Sequence, residues 1–116
     1  MTDAVRAASV TYTKDTVFVV WTGLDADDSG SPVELQGFPD RTVTIEGTFS
    51  VGGSCTMQGS NDGTNYYSLT DPQGNAITKT AGGIELITEN PKYIRPLVTA
   101  GDGSTAIQVR VHGIRK

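Results

Sequence analysis

The sequence predicts an all-β protein: one antiparallel β-sandwich of the jelly-roll type, with about eight to ten short strands. Apolar and polar residues alternate with a period of two in segment after segment, and clusters of turn residues separate those segments. No stretch shows the spacing of an amphipathic helix. The 116 residues suit one domain. We therefore expect a single domain over residues 1–116, with residues 1–12 forming an N-terminal arm or an edge strand.

The clearest strand is "TAIQVRVHGI", in which Ile107, Val109 and Val111 share one face and polar residues share the other. The segment "TVTIEGTF" places Val43 and Ile45 on a similar apolar face. Successive side chains of a strand point to opposite faces of its sheet. We therefore expect these five residues to lie in one core.

Other segments predict strands of different character. "TVFVVWTG" is apolar on both faces, which is typical of a central strand, and its Trp21 is predicted to lie in the core. "SCTMQGS", "NYYSLT" and "GIELITE" are shorter strand candidates. Pro96 interrupts "KYIRPLVTA", and because proline cannot donate a ladder hydrogen bond, it predicts an edge strand or a bulge there.

The stretch "GSNDGTNYYSLTDPQGN", residues 59–75, is either a ligand-gripping loop or a set of turns between strands. Asn61, Asp62 and Gly63 tolerate the positive φ that tight hairpins require. Pro72 pre-sets the first corner of a second turn. Turn chemistry accounts for nearly every residue here, so we interpret the stretch as architectural.

The charge balance excludes several classes of partner. The chain has 13 acidic and 9 basic residues, a net charge of −4, and no Lys/Arg cluster of the kind that binds nucleic acid. A membrane contact driven by basic residues is disfavoured for the same reason. The longest apolar run, Val17 to Trp21, is too short to span a bilayer. The N-terminus lacks the pattern of a secretory signal, and we expect folding in a reducing cytoplasm.

Chemistry-bearing residues are sparse. Cys55 is the single cysteine and His112 the single histidine, and a catalytic pair would need them adjacent, with a third group to orient them. Cys55 alternates with Met57 in a strand, which predicts a buried structural thiol. The sequence has no nucleophile elbow, phosphate-binding loop or zinc spacing. We therefore predict no catalytic residue, no cofactor and no enzyme activity.

One acidic segment resembles a calcium loop in part. Asp25, Asp27 and Ser29 alternate there, and Glu34 offers a further oxygen. Calcium takes six to eight oxygens, including a bidentate carboxylate at the end of the loop, and Gln36 occupies that position here. We expect a solvated acidic turn and no bound metal.

Three segments together resemble a known family: "WTGLDADDSGSPVELQGFPDRTVTIEGTF", "QGSNDGTNYYSLTDPQGNAIT" and "IELITENPKYIRPLVTAGDGSTAIQVRVHG". Their order and the length of the domain are similar to the head decoration, or cement, proteins of tailed bacteriophages. The resemblance covers residues 20–113. It implies a β-sandwich that binds the outside of an icosahedral capsid, with the phage major capsid protein as its partner and the virion as its location.

A weaker resemblance links the chain to the discoidin, or galactose-binding-like, jelly roll. In that family an "SNDG" hairpin precedes a "YIR" strand and a final strand that ends near a glycine, here Gly113. Discoidin domains are longer, and they carry apolar loop spikes or a disulfide between their ends. A carbohydrate-binding module is therefore the alternative to the decoration protein.

We accordingly expect a structural protein of the phage head that stabilises contacts between capsid subunits, as a homo-oligomer, a trimer or a dimer. One tyrosine of the pair at 66 and 67 must face outward if the pair lies in a strand. The basic chain end is a second candidate contact. The candidate partner-binding residues are Tyr66, Tyr67, Arg110, His112, Arg115 and Lys116.

Overall fold

A computed structural model describes residues 5–35, 37–50, 52–101 and 104–115, which form eleven β-strands and no helix. Within those ranges there is consequently no helix long and apolar enough to cross a membrane. The strands are β1 (Val5–Arg6), β2 (Ser9–Tyr12), β3 (Thr16–Leu24), β4 (Ser29–Gly30), β5 (Asp40–Thr48), β6 (Ser54–Ser60), β7 (Tyr67–Ser68), β8 (Thr78–Lys79), β9 (Gly83–Ile87), β10 (Tyr93–Ala100) and β11 (Ala106–Ile114).

The strands form two sheets. Sheet 1 has the order β1-β4-β10-β6-β7, and β8 pairs with β6 beyond β7. Sheet 2 has the order β2-β3-β11-β5-β9. Every pairing is antiparallel except the two-residue pairing of β1 with β4, so the predicted antiparallel sandwich is confirmed, with one strand more than the upper estimate. Residues 5–12 form edge strands of both sheets, whereas residues 1–4 lie outside the described part of the chain.

The core lies between the sheets and is built by the alternation read from the sequence. Ile107, Val109 and Val111 of β11 are fully buried, and they lie beside Val43 and Ile45 of β5. The predicted core of these five residues is confirmed. Cys55 and Met57 of β6 complete it from sheet 1.

Trp21 links the two sheets. Its ring is buried on β3 of sheet 2, and its Nε1 donates a hydrogen bond to the carbonyl oxygen of Ser31, next to β4 of sheet 1, at 3.0 Å. A Cβ at Gly30 would lie 2.5 Å from the Trp21 ring and 2.6 Å from Pro96 Cδ. Only a residue without a side chain therefore fits between the indole and the proline.

β3 is an inner strand of sheet 2, between β2 and β11, so the predicted central strand is confirmed, and Trp21 lies in the core as predicted. The other face of β3 is not covered by a further layer within the described residues, and Phe18 on that face is partly exposed to solvent. Of the two alternatives expected for the strand around Pro96, the edge was wrong. β10 is an inner strand and not an edge, and its bulge lies near Val98. Pro96 is tolerated there because its nitrogen points toward β4, which is only two residues long and requires no donor at that position.

Replacing Val109 with Asp should lower the free energy of unfolding by roughly 3–5 kcal/mol, because the carboxylate would be buried without a partner. Chemical denaturation measures the loss, with Thr22→Asp on the exposed face of β3 as the control of equal charge. A Val109→Asp protein as stable as the control would contradict the assignment of β11.

Candidate partner-binding surfaces

The face of sheet 2 that points away from the core exposes apolar side chains in register. Phe18 of β3 lies opposite His112 of β11, His112 lies opposite Thr42 of β5, and Thr42 lies opposite Leu86 of β9. This row of four residues crosses four neighbouring strands. Residues directly opposite each other in an antiparallel pair share one face of the sheet.

A second row runs parallel to the first and contains Val20, Arg110, Thr44 and Ile84. Ile84 is 64% exposed, which is unusual for a large aliphatic residue in a strand. We call these two rows together with Ile114 the sheet-2 outer face. It combines a rigid backbone with apolar side chains in solvent.

Two of the predicted partner-binding residues, Arg110 and His112, lie in the sheet-2 outer face. Arg110 forms an ion pair with Glu46 of β5, and both side chains are about 40% exposed. Such an exposed pair contributes little to stability, so it remains available to a partner. His112 is exposed between Phe18 and Thr42.

Arg115 lies apart from that face and is held in place. Its Nε donates a hydrogen bond to the carbonyl oxygen of Lys14 at 3.1 Å, and its guanidinium lies 4.7 Å from the centre of the Phe38 ring. The predicted contact at Lys116 lies outside the described residues. Arg115 therefore joins the end of the chain to the β2–β3 turn, instead of forming part of a free tail.

The tyrosine pair divides into a half-buried ring and an exposed one, although only Tyr67 lies in a strand, β7. Tyr66 is half-buried under Arg95, whose guanidinium lies 3.8 Å from the centre of the tyrosine ring. The same guanidinium donates a hydrogen bond to the side-chain oxygen of Gln58. Tyr67 is 75% exposed. It lines an open cleft of about 310 Å³ together with Ser60, Asn61, Ser68, Leu69, Glu89, Asn90 and Pro91.

The "SNDG" turn that leads into the tyrosine pair is held by its own hydrogen bonds. Asp62 accepts bonds from the backbone N–H groups of Asn65 and Thr64, each at 2.8 Å. The side chains of Asn65 and Ser60 also donate to it. These bonds favour the carboxylate and hold the pKa of Asp62 well below its usual range. The turn's polar groups satisfy one another, as the architectural interpretation requires.

At the edge of the cleft, Glu89 accepts hydrogen bonds from the backbone N–H and the hydroxyl of Thr70. Partial burial raises the pKa of Glu89, but these bonds outweigh it and lower the pKa overall. The cleft therefore presents an ionised carboxylate, amide groups and one aromatic ring.

The acidic segment that resembles a calcium loop is organised around an arginine. Asp28 is buried and accepts a hydrogen bond from Arg6 Nε at 2.9 Å, while Arg6 also lies 3.5 Å from Asp25. Asp27 is exposed, and a carboxylate oxygen of Glu34 lies 3.8 Å from the ammonium nitrogen of Lys92. In the described part of the chain no three metal-ligating side chains converge. Gln36 lies outside the described residues.

Cys55 and His112 are not brought together. The thiol lies in the core on sheet 1, where burial raises the pKa of Cys55 to about 12, whereas the imidazole lies on the outer face of sheet 2. A thiol with such a pKa is not a nucleophile at neutral pH. This pair can perform no chemistry.

Most of the sheet-2 outer face was not predicted from the sequence. Phe18, Ile84, Leu86 and Ile114 are exposed, yet none was a predicted contact. A signal was present in β9, where Ile84 and Leu86 alternate with Glu85. The structure orients this strand with Glu85 toward the core side and the aliphatic residues toward solvent, the reverse of the usual arrangement.

Known proteins resemble this chain in fold. No family model matches it, and no curated protein matches it. Among solved structures, the SPBc2 prophage-derived protein YomS is similar with a TM-score of 0.63 and 12% identity, over 91% of this chain and 99% of YomS. An RmlC-like cupin protein from Desulfovibrio desulfuricans matches with a TM-score of 0.50 and 10% identity, over 92% of this chain and 79% of the cupin. The chain thus has an all-β, jelly-roll-like fold.

Protonation of Asp62 should weaken the turn. A carboxyl whose pKa is lower in the folded state stabilises the protein above its unfolded pKa of about 4, and that contribution is lost as the pH falls through the folded pKa. The melting temperature of the wild-type protein should therefore be higher than that of Asp62→Asn at pH 7. This difference in melting temperature should narrow progressively below about pH 4. Thermal unfolding measured across this range checks the prediction. A difference that does not change with pH would contradict it.

Replacing Gly63 with Val should destabilise the protein by about 1–3 kcal/mol, because Gly63 has a φ of +80° and a β-branched residue is strained there. A Cβ at this position would also lie 3.3 Å from the Tyr93 ring. Denaturation of Gly63→Val beside Thr64→Val, an exposed neighbour in the same loop, provides the measurement. If Gly63→Val is as stable as the wild type but loses a binding activity, the loop is a ligand-binding site and the architectural interpretation is contradicted.

Proposed function

We propose that the protein is a non-enzymatic structural component of a phage particle, a decoration protein that binds the outer surface of the head. Its partner in this proposal is the phage major capsid protein, and its place is the capsid surface of the virion. The observation that carries the proposal is the sheet-2 outer face. Phe18, Ile84 and Leu86 are exposed there on a rigid sheet, a feature that folding of the chain alone does not require.

The dimensions of this face fit a specific protein contact. The strands of sheet 2 have nine, nine, nine, five and four residues, and at about 3.3 Å per residue and about 4.8 Å between strands they cover roughly 570 Å². This area is about 70% of the 800 Å² that each partner buries in a standard interface. The sheet can therefore supply most of a docking surface.

The similarity to a prophage-derived protein supports a phage origin. YomS and this chain match over nearly their full lengths, so the likeness involves the whole domain and not a shared fragment. The sequence resemblance to head decoration proteins covers residues 20–113, which include β5, β9, most of β11 and the second half of β3, but not Phe18 or Ile114. Capsid subunits repeat, so one rigid face can bind many equivalent positions.

Binding to phage heads tests the proposal. Mass spectrometry should find the protein in purified particles of the phage that encodes it, and added protein should bind heads that lack it. Leu86→Asp should weaken that binding at least about tenfold, since it places a charge in the apolar contact. Val5→Asp changes an apolar residue on sheet 1 that is 68% exposed, against 46% for Leu86, and serves as the control. Absence from particles together with no binding of the wild-type chain would refute the proposal.

A second candidate function is carbohydrate binding, which the Tyr67 cleft favours. An exposed aromatic ring stacks on the apolar face of a sugar, and the amides of Asn61 and Asn90 with the carboxylate of Glu89 can bond its hydroxyls. A glycan array should then detect binding that Tyr67→Ala abolishes. An array without signal removes this candidate and leaves the decoration proposal intact.

A further inference from the structure

The described part of the chain has sheet edges of very different lengths. In sheet 1 the edges are β1, β7 and β8, each two residues long. In sheet 2 they are β9, with five residues, and β2, with four. An exposed edge presents unpaired backbone groups to other chains, and very short edge strands limit that exposure. Only the edges of sheet 2 are long enough to pair with another strand.

The β9 edge is protected. Glu85, in the middle of β9, lies opposite Val43 on the core side of the sheet and forms an ion pair with Lys79 of β8. An added strand would have to cover this half-buried pair. A charge that points inward at an edge is a known device against edge-to-edge pairing.

The β2 edge has no such protection. Ser9, Val10, Thr11 and Tyr12 include no charge and no proline, and all four are exposed. Every backbone hydrogen bond described for β2 is made with β3, on one side of the strand. The other side is therefore open in the described residues.

The register of the β2–β3 hairpin determines which backbone groups are open. The N–H of Thr13 donates to the carbonyl oxygen of Thr16, so Thr13 belongs to a hydrogen-bonded pair. These pairs alternate along an antiparallel ladder, so Thr11 and Ser9 also direct their backbone groups toward β3. The N–H and C=O groups of Val10 and Tyr12 consequently point outward.

The side chains at this edge are also only partly covered. Val10 and Tyr12 lie opposite Val19 and Val17, which are completely buried, yet they remain 37% and 60% exposed. They occupy the margin of the core, where a neighbouring strand would continue the sheet over them.

We propose that a second copy of this chain pairs with it, β2 antiparallel to β2, about a two-fold axis at Thr11. In this register Val10 of each copy lies opposite Tyr12 of the other. Both residues direct their N–H and C=O groups to the partner, so four backbone hydrogen bonds form. No charged residue lies between Ser9 and Thr13, so no like charges meet in the ladder. The result is a continuous ten-stranded sheet with an isologous interface.

Cysteine cross-linking tests both the pairing and its register. Thr11 would face Thr11 of the second copy in a non-hydrogen-bonded pair, with Cα atoms about 4.5 Å apart, within disulfide range. Ser9 lies on the same face of β2, but its two copies would be about 14 Å apart along the strands, too far for a disulfide. With oxidised glutathione as the oxidant, Thr11→Cys should form a disulfide dimer and Ser9→Cys should not. Buried Cys55 does not compete.

Sedimentation of the protein without added cysteines provides the second measurement. The wild-type chain should form a concentration-dependent dimer, and Val10→Lys should be monomeric, while Gln73→Lys, with the same charge in an exposed turn, should dimerise as the wild type does. Equal cross-linking of Thr11→Cys and Ser9→Cys would overturn the register. A wild-type chain that stays monomeric at high concentration, or that forms a trimer, would overturn the proposal itself.

Discussion

The packing of Trp21 against Gly30 is the contact on which the rest of the structure depends. The indole belongs to sheet 2, whereas its hydrogen-bond acceptor, the carbonyl of Ser31, and the proline that closes over Gly30 belong to the sheet 1 side. A buried indole N–H needs such a partner, and the ring needs the space that glycine leaves. This contact fixes the distance between the sheets at the strands that precede and follow the acidic segment. Arg6, Asp25 and Asp28 then hold that segment closed.

With the inner side of sheet 2 fixed in this way, its outer side and its free edge become rigid binding elements. Side chains directly opposite each other across a strand pair point to the same side of the sheet. A dimer formed through β2 would therefore direct both copies of the sheet-2 outer face to one side. Two faces on one rigid particle bind a repeating surface more tightly than either does alone, because the second contact forms at a high effective concentration. The β2 edge would thus form the dimer, and the two copies of the sheet-2 outer face would attach it to a symmetric shell.

The sequence predicted the parts of the fold that depend on local pattern. The alternation in β11 and β5 located the core, and the Asn-Asp-Gly segment was placed correctly in a turn, because turn chemistry is local. The exposure of Phe18 was not predicted, since a period of two cannot reveal whether a second layer covers the other face of a strand. The pairing of Arg6 with Asp28 joins residues 22 positions apart, and no local rule predicts it. The orientation of β9 is likewise set by its partner β5, and not by its own composition.

A cryo-electron microscopy reconstruction of the phage head, resolved well enough to trace strands, tests the attachment most directly. Our account predicts density for this sandwich on the outside of the shell, with β3, β11, β5 and β9 facing the capsid protein. Phe18 and Leu86 should be covered in the complex, whereas Tyr67 should remain in solvent. A head that carries the protein with sheet 1 or the Tyr67 cleft against the shell, and the sheet-2 outer face in solvent, would contradict it.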